Sequence, residues 1–377
     1  MALPVRVGGQ RTAAISGGFV LRLGRDTVAL ETYERTPDRI TGEIVLRVPK
    51  TTYVRYQYDL RPDGAPVRST VRIDPSGSDK ASAHTVRIDF RDDSIRITVD
   101  SASLHRVEVR ARAPGSIPLI AGPYGTSYAT YEWLIAGVAD GDSVTLAAIS
   151  PVTGRAGSLM FVRRSPRRAD IDFFGETLMP VVLDGGGRIL AVDAQRTTVR
   201  ANAERADAID VALHARQFGK QDREGKGLGV ASPPDSVRTR IGGVALAIDY
   251  SSPRMRGRAI LGDLLPYDVV WRTGANAATL LKLNGDLSIE GVRVPAGTYS
   301  LWTIPHVDGA ELIVNAQHGQ WGTERDAAKD LYRIPLRVSQ AASPLEALVI
   351  DVTPDGDLRF RWSTFVWSAR LSRIGAE

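Results

Sequence analysis

Apolar and polar residues alternate with a period of two from Phe19 to about Ala201, which restricts the first half of the chain to half-buried strands. Phe19, Leu21 and Leu23 alternate with Val20, Arg22 and Gly24. Ile44, Leu46 and Val48 alternate with Glu43, Val45 and Arg47. Val67, Ser69, Val71 and Ile73 interleave with Arg68, Thr70 and Arg72, and Val86, Ile88 and Phe90 with Arg87, Asp89 and Arg91. Successive side chains of a strand point to opposite faces, so one face meets a core and the other water, the antiparallel habit. Turn chemistry agrees: Arg61-Pro62-Asp63-Gly64, Arg91-Asp92-Asp93-Ser94 and Gly185-Gly186-Gly187 each separate two such runs. A meander of hairpins follows, expected to form a curved antiparallel sheet or barrel-like domain, because curving or closing the sheet protects its edges.

One segment departs from this period. Tyr124, Tyr128, Tyr131, Ile135 and Val138 are spaced as the stripe of a helix, with Pro123 before it and Gly137 near its end. The spacing predicts an inserted helix over about 124–138. Its tyrosines and Trp133 either cap the core, or Tyr124, Tyr128, Tyr131 and Ile135 line a gated apolar cavity with their hydroxyls near water.

A second helix is expected from Arg205 to Phe218, with Ile209, Ala212 and Leu213 as its apolar face. The glycine-rich, charged stretch Gly219 to Gly229 and Pro233-Pro234 then mark a boundary. Gly225-Lys226-Gly227-Leu228-Gly229 is no phosphate cradle, since no strand precedes it and no Ser or Thr follows the lysine. Strands return at Val244–Tyr250, Ala278–Leu283, Thr298–Thr303, Glu311–Val314, Ile334–Val338, Ala347–Val352 and Leu358–Trp362. Thr323-Glu324-Arg325-Asp326 has the form of a capping box opening a short helix to about Leu331. A β-sandwich or roll suits this second set.

The second set also carries distinctive words in a fixed order. They are Tyr250-Ser251-Ser252-Pro253, Arg258, Leu265-Pro266-Tyr267-Asp268-Val269-Val270-Trp271-Arg272-Thr273-Gly274-Ala275-Asn276, Pro295-Ala296-Gly297-Thr298-Tyr299-Ser300-Leu301-Trp302-Thr303-Ile304-Pro305 and Gln320-Trp321-Gly322. From about Val237 to the C-terminus they resemble the bacterial family known as domain of unknown function 2911. The resemblance implies a domain and a cell-envelope setting, and no settled activity comes with it.

Bulk properties narrow the remaining classes. A chain of 377 residues, 43% hydrophobic and 24% charged, suits two globular domains. No apolar run approaches the eighteen or so residues of a membrane helix. The start, Met1 to Arg6, lacks the basic and apolar regions of a secretory leader, and we expect a mature form whose signal has been removed, the alternative being a cytoplasmic protein. Zero cysteines exclude disulfides, thiolate metal sites and a cysteine nucleophile. The net charge of +5 is spread in alternating signs without a basic block, which argues against nucleic acid; Arg163-Arg164 and Arg167-Arg168 around Ser165-Pro166 read as a solvated loop.

Catalytic signatures are missing from the sequence. There is no Gly-x-Ser-x-Gly elbow, and His84, His105, His214, His306 and His318 are scattered. A metal site on His306, His318 and Asp308 is the weaker reading beside solvated loop histidines, and Asp170/Asp172 and Asp355/Asp357 sit at strand or turn spacing. No metal, cofactor or catalytic residue is assigned. The candidate ligand residues are Arg258, Tyr267, Trp271, Arg272, Asn276 and Gln320, with Trp321 beside them. Arginine offers a planar fork, tryptophan a stacking face and asparagine both donor and acceptor, a set suited to an anionic or sugar-like group. The alternative is structural, with Trp271 in the core and Arg272 and Asn276 satisfying carbonyls where loops cross.

The expectation is therefore a mainly β, periplasmic or extracellular protein. Residues 1–204 form the curved sheet, 205–235 a helix and linker, and 236–377 the sandwich or roll. It binds or assembles with an envelope polymer, an apolar small molecule or other copies of itself. The alternative is a hydrolase acting on an extracellular glycan or ester between the domains.

Overall fold

The computed structural model describes residues 14–374 apart from 76–81, 121, 123, 125, 174–177, 196 and 198. Pro123, expected to open the inserted helix, and the first residues read for a leader lie outside them. The chain divides into two compact units, Met1–Gly229 and Val230–Glu377.

Among the described residues the first unit is one sheet of fifteen strands: β1 (Ile15–Leu23), β2 (Asp26–Thr36), β3 (Arg39–Leu46), β4 (Thr52–Leu60), β5 (Pro66–Pro75), β6 (His84–Phe90), β7 (Ser94–Ser101), β8 (His105–Ala111), β9 (Ile117–Pro118), β10 (Ser143–Ile149), β11 (Ala156–Ser165), β12 (Arg168–Phe173), β13 (Leu178–Leu183), β14 (Ile189–Asp193) and β15 (Asn202–Ala206). Their order is β8-β7-β6-β5-β4-β3-β2-β1-β15-β14-β13-β12-β11-β10-β9. Every pairing is antiparallel except the parallel β9–β10 contact. Two meanders are thus joined by one ladder, in which Gly18 faces Ala206 and Arg22 faces Asn202.

The alternation read from the sequence sorts the two faces. Phe19, Ile44, Val54, Val71, Val86 and Ile88 are buried on one. The other carries exposed ion pairs such as Arg39–Asp59, Arg55–Asp74 and Arg68–Asp89, each worth little in water. The sheet curls until Ile149 of β10 packs with Val86, Ile88, Phe90, Ile95 and Ile97. It is not closed into a barrel, because β8 and β9 remain its two edges.

Both helices differ from their expected bounds for identifiable reasons. The inserted helix α1 runs Tyr128–Ile135, with Ser127 as N-cap accepting from the Thr130 N–H, and all eight of its residues are buried. Enclosed on every side, it needs no polar face, so a stripe extended to 124–138 overstates it. Tyr124 lies before the cap in a half-buried bend. The helix α2 runs Val211–Arg223 rather than 205–218, because Arg205 and Ala206 are spent pairing β15 with β1. Asp210 caps it, accepting from the Leu213 N–H at 2.8 Å. Its buried face is Val211 and Ala215 against Leu30 and Val45, while Leu213 is exposed. Of the stretch expected as a linker, α2 and the end of β15 therefore belong to the first unit, and a strand opens near its end.

Among its described residues the second unit has nine strands: β16 (Pro234–Ile241), β17 (Val244–Ser251), β18 (Thr279–Leu283), β19 (Leu287–Ile289), β20 (Val292–Val294), β21 (Gly297–Pro305), β22 (Ala310–Asn315), β23 (Asp330–Val352) and β24 (Asp357–Arg373). They are ordered β16-β17-β18-β21-β22-β23-β24-β19-β20. Residues from both ends of that order share one core, including Leu246, Leu281, Leu287, Val294, Phe360 and Trp362, so the sheet rolls on itself. The helix expected at 323–331 is a single 3-10 turn, Ala327–Lys329, because Asp326 caps Ala328 and Asp330 already begins β23. No helix among the described residues is long and apolar enough to cross a membrane.

Candidate functional site

The long connection between β17 and β18 has little ladder of its own, and its backbone is held from outside. Ser252 donates its hydroxyl to the Leu348 carbonyl at 2.7 Å, and the Met255 N–H donates to the Glu346 carbonyl at 2.7 Å. Arg258 turns back on the same loop, donating to the carbonyls of Met255 (2.9 Å) and Arg254 (2.7 Å). Tyr267 is 38% exposed, with its ring against Gly262. Asp268 is tied by its N–H to the Pro305 carbonyl, and by its carboxylate to His306 Nδ1 at 2.6 Å. That bond raises the imidazole pKa.

The following turn brings three of the sequence words together. Trp271 and Thr303 exchange backbone hydrogen bonds at 2.7 and 2.8 Å, docking Trp-Arg-Thr-Gly-Ala-Asn on β21. The Trp271 ring stacks on buried Trp362 at 5.9 Å and donates Nε1–H to the Gly274 carbonyl at 2.9 Å. On the other side the Ala278 N–H donates to the Gln320 carbonyl and the Gly322 N–H to the Asn276 carbonyl, so Gln320-Trp321-Gly322 lies along the turn. Gly322 is glycine for a steric reason, because a Cβ there would fall on the Arg272 stem and the Asn276 carbonyl. Gly322→Val is accordingly expected to cost roughly 1–3 kcal/mol, read as a drop of several degrees in the second unit's thermal midpoint.

This seat is strained. Asp268, Thr273 and Asn276 have φ of 63°, 53° and 60°. A β-branched residue at positive φ is a genuine outlier, and each such residue costs about 1–3 kcal/mol. Thr273 is held there by Thr279, whose hydroxyl donates to its carbonyl at 3.0 Å. Asn276 is fixed by its amide, which reaches Ser251 Oγ at 3.2 Å and the Ser232 carbonyl at 3.4 Å.

Trp271, Arg272, Asn276, Gln320 and Trp321 are thus assembled on one seat, whereas Arg258 and Tyr267 are placed in the preceding loop. Trp271 serves the core, Arg272 is half-buried over Gly322, and Asn276 is exposed. Trp321 stands 44% exposed. Gln320 is 9% exposed and donates to Ser300 Oγ at 3.1 Å, while its Oε1 has no hydrogen-bond partner. Chemically, the seat offers a flat apolar ring flanked by a half-buried guanidinium and the exposed Asn276 amide, with the Gln320 amide buried beneath them. No group of three or more His, Asp or Glu among the described residues is arranged to hold a metal ion.

In the first unit, α1 is fastened by two buried glutamates that the sequence reading did not single out. Glu31 on β2 accepts from Tyr56 OH (2.6 Å), Ser127 Oγ (2.9 Å) and the Tyr128 N–H (2.7 Å), so it caps the helix N-terminus. Burial pushes its carboxyl up to about 7, against hydrogen bonds that favour the ionised form. Gly42 lets the Tyr56 ring lie across its strand, since a Cβ there would overlap it. Glu132 on α1 accepts from the Tyr33 hydroxyl, the Ile189 N–H and the Arg205 guanidinium. Of the cavity candidates, Tyr128, Tyr131 and Ile135 are buried. The Tyr128 ring lies 5.4 Å from Phe19, and that of Tyr131 5.9 Å from Phe161. Both glutamates stood at positions where the alternation gave no reason to expect a charge inside.

The family model described as Protein of unknown function (DUF2911) matches residues 232–371, which include every residue of the Trp321 seat. No curated protein matches the chain. Among solved structures, the crystal structure of a DUF1089 family protein from Pseudomonas aeruginosa is similar at 8% identity, over 44% of this chain and 89% of that chain, with a TM-score of 0.33.

Proposed function

We propose that the protein is a periplasmic or extracellular binding module, and that its second unit recognises an envelope polysaccharide on the seat of Arg272, Asn276 and Trp321. One observation carries this reading: a half-exposed tryptophan is mounted against a turn strained at Thr273 and fixed from both sides. Strain that the surroundings hold in place is a mark of functional sites. An indole face takes the apolar face of a sugar ring, and the neighbouring amide and guanidinium groups take its hydroxyls. The envelope setting is supported by the family resemblance of this unit.

Intrinsic tryptophan fluorescence, titrated with soluble polysaccharides, tests the reading. Trp321→Ala is expected to weaken binding at least about tenfold, roughly 1.4 kcal/mol, while an exposed position leaves the midpoint nearly unchanged. Unaltered affinity in Trp321→Ala would overturn the proposal. So would a protein that binds no polysaccharide and instead takes up an apolar probe or self-associates.

A further inference from the structure

The outer face of β16, β17 and β18 holds a trough that the Trp321 seat does not account for. Register places Arg238 opposite Ala247, Ala247 opposite Lys282, and Lys282 opposite Thr298, a single row across four strands. In the next row Arg240 faces Ala245. Residues opposite each other across a ladder share a face, so two alanines form a low floor between walls of long cationic side chains. The space above them is about 650 Å³, lined by Arg238, Arg240, Lys282, Asn284 and Thr298 among others. Arg238 and Lys282, two strands apart, stand roughly 10 Å from each other at the backbone.

The charge of this trough is local. Asp249 pairs with Arg238 and lies 3.7 Å from Lys282, which leaves three cations against one carboxylate. Arg240 donates to the Gly243 carbonyl at 3.1 Å, one bond from a group with five donors. Residues 236–377 as a whole carry 16 basic and 15 acidic side chains, so the surplus here is not a general property of the unit. The floor offers no aromatic ring on which a nucleobase would stack. Lys282 and the Trp321 seat lie at opposite ends of β18, about 13 Å apart by strand rise, because the residue just before the strand, Ala278, is bonded to Gln320.

We infer that the trough takes the carboxylates of an acidic polysaccharide whose chain continues along β18 to Trp321. The inference rests on the glycan-binding reading of that seat and names its substrate class: a uronate-bearing chain rather than a neutral one. Arg240 and Lys282 contact the charged groups, while Thr298 and Asn284 supply neutral hydrogen bonds beside them.

The test compares an oligogalacturonate with a neutral glucan oligomer of equal length, at low and at moderate salt. Wild type is expected to prefer the uronate at least tenfold at low salt and to lose most of that preference as salt rises. Arg240→Ala with Lys282→Ala is expected to abolish the preference and leave neutral-glucan binding intact, while Lys282→Arg retains it. Trp321→Ala is expected to weaken both ligands. The trough assignment is overturned if the double variant keeps the preference, if the preference does not depend on salt, or if duplex DNA displaces the uronate at equal charge concentration. If the double variant loses uronate binding while Trp321→Ala binds normally, the trough stands and the Trp321 reading fails.

Discussion

Arg205→Ala is expected to lower the thermal midpoint of the first unit by roughly 10 °C. Arg205 is largely buried and its guanidinium meets Glu132, which is 2% exposed. It also donates to the Ile189 carbonyl at 2.5 Å and lies 4.8 Å from the Phe19 ring. Removing one partner of such a pair strands the other charge out of water, which costs about 3–5 kcal/mol. A unit of this size loses about 2–4 °C per kcal/mol. Arg188, 4.0 Å from the same carboxylate but more exposed, is a partial substitute and places the effect toward the lower end. Glu132→Gln combined with Arg205→Met removes the charge along with its partner, and is expected to be less destabilised than Arg205→Ala alone. Thermal melts of the single and double variants check both statements, and a double variant as unstable as Arg205→Ala would show that packing rather than charge sets the cost.

The stability of the first unit is also expected to fall as pH rises from about 4.5 to about 7, through Glu31. Its carboxyl is pushed up to about 7 by burial, above the ordinary value of 4.5 it returns to on unfolding. Between these values the folded chain keeps a proton that the unfolded chain has released. The contribution is therefore complete below 4.5, shrinks through the window and is gone above 7. A shift of this size corresponds to about 3 kcal/mol. The groups facing the carboxyl are Tyr56 from β4 and Ser127 with the N–H groups of Tyr128 and Ala129 from α1. Glu31→Gln keeps an acceptor for those N–H groups without the charge. Subtracting its melting curves from those of wild type at each pH cancels the other titrating groups. The difference should appear between pH 4.5 and 7, and a flat difference would refute the assignment.

The alternation from Phe19 to Phe90 was legible because most strands there have one buried and one wetter face, as β5 and β6 do, although α2 also covers Leu30 and Val45 on the outer face of β2 and β3. The run Thr298 to Thr303 also announced a strand, which the structure extends to Gly297–Pro305, since β21 is covered on both sides. Helix bounds were less legible. Whether Arg205 continues a strand or opens a helix is decided by β1, a partner far away in sequence. In the same way, the sequence words named Trp271, Arg272, Asn276, Gln320 and Trp321, but not that Gly322 is the point where they touch. The glycine after Trp321 was the available signal. Glu31 and Glu132 could not be found by period, because a buried charge is made tolerable only by donors gathered from distant segments. The basic trough was likewise hidden, since Arg238 and Lys282 become neighbours only through the register of three strands.

The joint between the two meanders has a consequence for how the first unit is made. As the chain leaves the ribosome, each strand from β2 to β8 meets its partner immediately, because that partner was the last segment synthesised. One side of β1 has no such neighbour and stays open until residues 202–206 emerge. Long-range closure of this kind is slow and leaves an edge available to wrong partners. The strand that waits begins Ile15-Ser16-Gly17-Gly18. Glycine is a poor strand former with no side chain to pack, so the first residues of that open edge are a weak template for a stray chain. Among the described residues, β1 with β15 is the only ladder shared by the strands before and after the β8–β9 connection, so the two meanders are registered against each other by that one late pairing.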